Sequence, residues 1–278
     1  MAVLRMEKSN GFFFEQETMA AVARELSTDY QQAEPFPNIV INNFMEESIL
    51  DEVLQHFPVK LDNDSKAYSR NTENLKSSYL PENLNENVRS LFYAFNSMPF
   101  LKFLESLSGI PGLIPDPYFV GGGLHETLNG GHLSIHADFN LHKKLNLERR
   151  INVLIYLNRN WEPEYGGQLE LWDSAMKNMV KRIDPIFNRA VIFNTTSESY
   201  HGQPDPITHP DNSPRRSIAL YYYTATWSDS KRSHTTQFKI RSRTGDSYDY
   251  SVRSNEIIRD FLPPILLRGI KKIKTRKN

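Results

Sequence analysis

Leu133-Ser134-Ile135-His136-Ala137-Asp138 is the stretch on which the reading of this chain turns. Residues two apart on a β-strand project to the same side. If Leu133 to Asp138 is extended, His136 and Asp138 offer an imidazole and a carboxylate on one face. A His-x-Asp triplet alone is a weak signal, because such triplets also arise as surface polar residues or capped turns. A third donor must come from elsewhere, and His201 in Ser199-Tyr200-His201-Gly202 is the best candidate. The interval between the two histidines leaves room for several strands to depart and return. Two histidines and one carboxylate occupy one face of an octahedral ferrous ion and leave its other positions open.

The chain beyond His201 adds weight. Arg215-Arg216-Ser217-Ile218-Ala219-Leu220-Tyr221-Tyr222-Tyr223 reads as a strand by its β-branched and aromatic content. A guanidinium fixed at the head of that strand can hold a carboxylate in a bidentate fork. Strand parity decides which arginine faces the cavity. Ile218, Leu220 and Tyr222 form an apolar outer set, and Arg215, Ser217, Ala219 and Tyr221 an inner set with small residues that leave room for a ligand. Parity therefore selects Arg215 over Arg216, and a slip of one residue would reverse the choice. The same logic on Ile151–Leu157 sends Ile151, Val153, Ile155 and Leu157 outward beneath helices, with Asn152, Leu154 and Tyr156 inward.

These residues together resemble the Fe(II)/2-oxoglutarate-dependent dioxygenases, and most closely their prolyl 4-hydroxylase-like branch. The resemblance runs from Tyr118 to Trp227. It includes Tyr156-Leu157-Asn158 followed by Trp161, the pair Gly166-Gly167, and Arg-x-Ser-Ile before the last strand. It implies an α+β chain with a double-stranded β-helix (jelly-roll, cupin-like) core and flanking N-terminal helices. It further implies Fe(II) on His136, Asp138 and His201, and 2-oxoglutarate held by Arg215 with a hydrogen bond from Tyr156. O₂ would be the oxidant, with L-ascorbate to rescue oxidised iron. The implied reaction is hydroxylation of a C–H bond, on a prolyl residue of a protein or peptide or on a small molecule such as a free amino acid or a sugar-linked metabolite. Two departures stand out. Collagen-type enzymes place a lysine where Arg215 sits, and the interval from His201 to Arg215 is long, with Pro204 to Pro214 intervening.

Composition bounds the rest. The 278 residues are 39% hydrophobic and 24% charged, a composition that supports a packed core. Lys+Arg 33 balances Asp+Glu 33, so no global field favours nucleic acid or a membrane as partner. Without cysteine there are no disulfides, thiolate zinc sites or Fe–S clusters. Met1 to Phe14 lacks the pattern of a signal peptide and no run approaches transmembrane length, so a cytoplasmic setting is the expectation. The oligomeric state is not readable.

The expected organisation is a mainly helical region at 1–115, a β-helix core at 116–228 and an extension with a basic tail at 229–278. Helices are expected over Glu15–Leu26, Met45–Phe57, Leu84–Phe95 and Pro99–Leu107, with a short strand at Asn38–Asn42. Lys60–Thr72 reads as a polar loop. Core strands are expected at Tyr118–Glu126, His132–His136, Ile151–Asn158, Gln168–Trp172, Met179–Ile183, Ala190–Asn194, Tyr200–Gly202 and Ser217–Thr226. Weak strands come next at Thr235–Ile240 and Ser247–Val252, then a helix at Asn255–Leu262 and another beyond it.

Several residues carry weaker readings. His132, His125 and Glu126 border the first barrel strands, Asn140 could orient a ligand, Trp172 could wall an entrance, and Arg189 reads as structural. Two rival readings use the same residues: a non-catalytic cupin-like module that holds a metal or carbohydrate, and a zinc hydrolase with one open site.

Overall fold

The computed structural model describes residues 2–8, 11–58, 65–228 and 230–247. The expected strand at Ser247–Val252, the helices after it and the basic tail lie outside the described residues, apart from Ser247.

The chain begins with a ribbon of β1 (Met6–Lys8) and β2 (Phe12–Phe14), then α1 (Gln16–Gln31), β3 (Asn38–Asn42) and α2 (Glu47–Gln55). A hairpin of β4 (Ser65–Arg70) and β5 (Glu73–Tyr79) precedes α3 (Glu86–Phe95) and α4 (Met98–Ser108). The barrel strands come after: β6 (Ile114–Pro115), β7 (Gly123–Ala137), β8 (Leu141–His142), β9 (Leu147–Tyr156), β10 (Leu169–Trp172) and β11 (Met179–Ile183). They continue through β12 (Arg189–Asn194), β13 (His201–Gln203), β14 (Arg215–Thr224) and β15 (Gln237–Phe238).

The helices start and stop where their sequences dictate. The Asn85 side chain accepts the backbone N–H of Asn87 and opens α3. Pro99 sits in the first turn of α4, where a missing N–H costs nothing. Gly109 ends α4 in the left-handed region at φ 73°, its N–H on the Glu105 carbonyl. α1 outruns its expected end at Leu26. Ser27, Thr28 and Asp29 look like breakers, but Tyr30 extends the buried stripe of Met19 and Ala23 by another turn. Its hydroxyl then donates to Asn194 Oδ1 at 2.7 Å, tying the helix to β12.

The main sheet is 13-stranded and antiparallel among the described residues, and it curls into a half-barrel of the double-stranded β-helix kind. Its principal order is β11-β10-β13-β7-β14-β9-β12-β3. β7 joins its two halves. The expected strands Tyr118–Glu126 and His132–His136 are in fact one bent strand, preceded by a turn in which Phe119 and Gly121 have positive φ. Residues 123–127 pair with β14, whereas Leu133 and His136 pair with β13. The bend falls at Gly130-Gly131. Gly130 has φ +80°, and a Cβ on Gly131 would lie 2.7 Å from Thr127 Cγ2 and 2.8 Å from the Asn74 carbonyl. Only glycine lets the backbones approach that closely.

The expected loop over Lys60–Thr72 is corrected by the structure. Ser65–Arg70 is a strand paired with Glu73–Tyr79, which in turn pairs with β7. Polar composition hid both strands, because the stability here comes from ladder hydrogen bonds rather than an alternating apolar face.

The outer face of the sheet behaves as parity requires. Ile151, Val153, Ile155, Leu157, Ile218, Leu220 and Tyr222 all join the helices in one core. Phe100 is its hub, fully buried, with ring centroids 5.2 Å from Phe14, 5.0 Å from Phe95, 5.7 Å from Phe103 and 5.9 Å from Tyr222. Among the described residues no helix is long and apolar enough to cross a membrane. Truncation of Phe100→Ala is expected to cost about 3–5 kcal/mol, since the transfer and cavity terms add at a site that cannot collapse. Urea unfolding of wild type and variant measures the difference.

Candidate metal centre and anion pocket

The register of two strands assembles the centre. His201 on β13 stands opposite His136 on β7. Asp138 comes one residue beyond the end of β7 and turns back toward both rings. The His136 and His201 ring centroids are 4.6 Å apart. His136 Nε2 lies 3.6 Å from Asp138 Oδ1, and His201 Nε2 lies 3.4 Å from Asp138 Oδ2. One donor atom from each of the three falls within 4.8 Å of the others, so the set could hold a metal ion.

Each imidazole is locked the same way. His136 Nδ1 sits 2.8 Å from the Ser134 carbonyl, and His201 Nδ1 sits 2.9 Å from the Ser199 carbonyl. A carbonyl only accepts, so both Nδ1 atoms carry the proton and both Nε2 lone pairs face the centre. Burial and then His201 hold the His136 pKa below its usual value. Rings enclose the pair: Phe193 lies against His201 at 4.7 Å and Phe238 against His136 at 5.5 Å.

Asp138 is held from behind. Asn152 Nδ2 donates to Oδ2 at 2.7 Å, and Arg149 Nη2 lies 3.0 Å from the same oxygen. Burial alone would raise the Asp138 pKa, but Arg149 and His201 outweigh it and hold the carboxyl well below the ordinary range. Arg149 was not singled out in the sequence. Its signal is visible only in space, as a 2% exposed guanidinium between the Phe139 and Tyr221 rings.

A cavity of about 670 Å³ runs from this centre to Arg215, with Asn152, Leu154, Ser217 and Tyr221 on its wall. These are inner-face residues of β9 and β14, as parity expects. Arg215 is 8% exposed, donates from Nε to the Gly167 carbonyl at 2.7 Å, and lies over the Tyr156 ring. Burial pushes its pKa down and Tyr156 opposes that, yet a guanidinium stays charged at any ordinary pH. No acidic side chain pairs with it among the described residues. The Tyr156 hydroxyl is also buried without a hydrogen-bond acceptor. A buried cation beside a hydroxyl whose proton has no acceptor suits a carboxylate, which accepts from both. Arg216 faces the other way, on Glu126 at 2.8 Å and over the Phe57 ring.

The long interval between His201 and Arg215 does not displace Arg215 from the cavity. Ile207 exchanges backbone bonds with Gly130 and Gly131, and the His209 N–H donates to Asn129. The extra residues are thus pinned against the bend of β7.

The remaining candidates separate clearly. His125 lines the cavity, with Nε2 2.9 Å from the Gly121 carbonyl. His132 is bound to the Asn71 carbonyl and lines a different groove. Glu126 is taken by Arg216. Asn140 bonds Arg232 and His234 rather than Asp138. Trp172 donates to Glu170 and packs against Ile135, Ala137 and Tyr200. Arg189 bonds Asn42 and the Asp184 carbonyl, a structural role.

Such a half-barrel with a two-histidine, one-carboxylate cluster and a buried arginine defines the mononuclear non-haem iron oxygenase class. Residues 122–243 match the family model of the 2OG-Fe(II) oxygenase superfamily. Over 196 residues, 68% of the chain, it is 25% identical to mouse (Mus musculus) prolyl 3-hydroxylase OGFOD1. The match spans only 33% of that relative's length. Among solved structures, it resembles a Trichoplax adhaerens prolyl hydroxylase in complex with a hypoxia inducible factor peptide fragment. That match has a TM-score of 0.50 at 20% identity and covers 74% of this chain and 91% of the other. It also resembles HygX from Streptomyces hygroscopicus with nickel and 2-oxoglutarate bound, with a TM-score of 0.51 at 10% identity over 74% and 89% of the two chains. At these identities the structural likeness is one of fold.

Two outcomes are expected. A Cβ on Gly202 would lie 2.8 Å from the Ser134 carbonyl and 2.9 Å from that of Leu133. Gly202→Ala should push β13 off β7, carry His201 away, and erase most of the thermal stabilisation that Mn(II) gives wild type. Second, burial, then Lys76, hold the His125 pKa well below its usual value. The unfolded chain binds a proton that the folded chain refuses, so stability is flat above about pH 6.5 and falls below it, by up to about 1.4 kcal/mol per pH unit. Metal-free His136 adds in the same direction. Urea unfolding at several pH values should show a shallower acid slope for His125→Gln than for wild type.

Proposed function

We propose that this chain is an Fe(II)- and 2-oxoglutarate-dependent hydroxylase whose substrate is a prolyl residue in a protein or peptide. The observation that carries the reading is the pairing of two elements in one cavity: three metal-type donors at one end and a buried guanidinium with no anionic partner at the other. A zinc hydrolase or a passive metal-binding module has no use for the second.

His136, Asp138 and His201 would hold the iron through their inward-facing donor atoms. Arg215 would take the far carboxylate of 2-oxoglutarate in a charge-assisted fork, and the Tyr156 hydroxyl would donate to the same end. Iron held there would supply, with O₂ as oxidant, oxidative decarboxylation of 2-oxoglutarate to succinate and CO₂, one oxygen atom of O₂ entering succinate and the other the substrate C–H bond. The chain's own share is placement and dryness. Asn152 and Arg149 keep the carboxylate ionised, the Nδ1–carbonyl bonds fix the imidazole tautomers, and the rings of Phe193 and Phe238 shield the histidines from water. Ascorbate, as a reductant for spent iron, belongs to the same proposal. The prolyl assignment is supported by the mouse relative and by the peptide-bound neighbour. The carbon attacked, position 3 or 4, is left to experiment.

Fe(II)-loaded protein should convert 2-oxoglutarate to succinate, with faster turnover on a productive proline-containing peptide and a mass gain of one oxygen on that peptide. Fragmentation then assigns the carbon. His136→Ala and Asp138→Ala should reduce turnover to background. Arg215→Ala should raise the 2-oxoglutarate KM roughly 30-fold or more, the usual loss for one side of a buried charge pair. Turnover that survives Asp138→Ala, or that needs zinc and no 2-oxoglutarate, would overturn the reading.

A further inference from the structure

Three side chains close a ring behind the metal centre. Arg149 grips Asn152 Oδ1 with two donors, Nε at 3.0 Å and Nη2 at 2.8 Å. Asn152 Nδ2 donates to Asp138 Oδ2 at 2.7 Å. Arg149 Nη2 completes the circuit 3.0 Å from that same oxygen. Each carboxylate oxygen lies near one imidazole, Oδ1 3.6 Å from His136 Nε2 and Oδ2 3.4 Å from His201 Nε2, but Oδ2 alone also takes the two donors of Asn152 and Arg149. The ring is itself immobilised. Asn152 sits on β9 between Phe193 of β12 and Tyr221 of β14. Arg149 is clasped by Phe139 and Tyr221, with its guanidinium 3.6 Å above the Tyr221 ring.

We propose that Arg149 and Asn152 are positioning residues that force Asp138 to offer the metal Oδ1 alone. The consequence concerns how many positions the metal keeps. An octahedral ion with two imidazoles and one carboxylate oxygen retains three open positions, enough for a chelating oxo acid and one further small ligand. A carboxylate free to turn about its Cβ–Cγ bond can bind through both oxygens and remove one of them. By saturating Oδ2, the ring prevents that. Because the guanidinium is bound to both Asn152 and Asp138, and Asn152 donates to the same carboxylate oxygen, the two donors act as one unit on Oδ2.

The inference rests on the triad being a metal site, and the experiment separates the two. A crystal structure of the full chain loaded with Mn(II), a stable stand-in for ferrous iron, reads the coordinating atoms directly. The expected result is Asp138 bound through Oδ1, with Oδ2 still on Asn152 and Arg149. In Asn152→Leu, the carboxylate should swing to bind through both oxygens, and Mn(II) affinity by calorimetry should fall about 10- to 100-fold. Asn152→Leu also removes a buried hydrogen-bonded amide, so thermal unfolding of the metal-free forms is run beside it, and the wild-type structure decides the first point without any variant. Wild type bound through Oδ2 or through both oxygens overturns the inference, as does one-oxygen binding that persists unchanged in Asn152→Leu. Failure of wild type to bind Mn(II) at all would instead overturn the metal-site reading on which it stands.

Discussion

The antiparallel pairing of β13 with β7 is the constraint on which this molecule depends. It sets His201 directly across from His136. The contact is short: His201 and Gln203 are the only registered partners on that ladder, with an irregularity between them. So small a ladder cannot hold a register unaided. It is clamped on one side by β10, whose Leu171 pairs with His201, and on the other side of β7 by β15, whose Phe238 pairs with His136. A slip of β13 by one residue would turn His201 out of the cavity. The bend at Gly130-Gly131 serves the same end, because it lets one strand carry His136 in one half of the barrel and face Arg215 from the other.

Charge is placed in the cavity in two opposite ways. Arg149 and Asp138 compensate one another, and their shared hydrogen bonds offset much of the desolvation that burial imposes. Arg215 has no such partner, and its burial is a standing cost to the fold. An anion entering the cavity would offset that cost. The Tyr156 hydroxyl belongs to the same balance, since even a bond from Arg215 to its oxygen would leave its proton without an acceptor. The cavity is thus polarised along its length, from a cluster fit for a cation to a fixed cation fit for a carboxylate.

Sequence periodicity and strand parity foresaw much of this and missed the rest for identifiable reasons. Where a strand is half buried, alternation is strict, and so the faces of β9 and β14 and the choice of Arg215 over Arg216 were legible. Helical stripes were legible for the same reason, except where Tyr30 lay beyond a polar interruption. β4 and β5 were not, because they carry few apolar residues; Glu73 and Lys76 of β5 line the cavity. Nor was Arg149, which lies next to Arg150 and differs from it only in the direction it faces after the strand bends. The partnership of Phe238 with His136 spans roughly a hundred residues of chain, and no local pattern announces it. The unusual length between His201 and Arg215 looked like a threat to the placement of Arg215 in the cavity. The ladder from Ile207 to the glycine bend shows why it is not: the insertion leaves and returns at points already fixed by the sheet.

β14 explains why the helical layer matters to chemistry that it never touches. Its outer residues Ile218, Leu220 and Tyr222 are sunk into the helical core, and the Tyr222 hydroxyl donates to the Phe95 carbonyl at the end of α3. Its inner residues Arg215, Ser217 and Tyr221 line the cavity. One backbone carries both sets, and strand geometry forbids moving one without the other. The helices therefore fix how far Arg215 stands from the histidines, and with it, under the proposed function, the length of oxo acid that would span the two. Selectivity for the cosubstrate is in this sense a property of core packing: a chain with every cavity residue intact but a loosened Phe100 cluster would keep its chemistry and lose its measure.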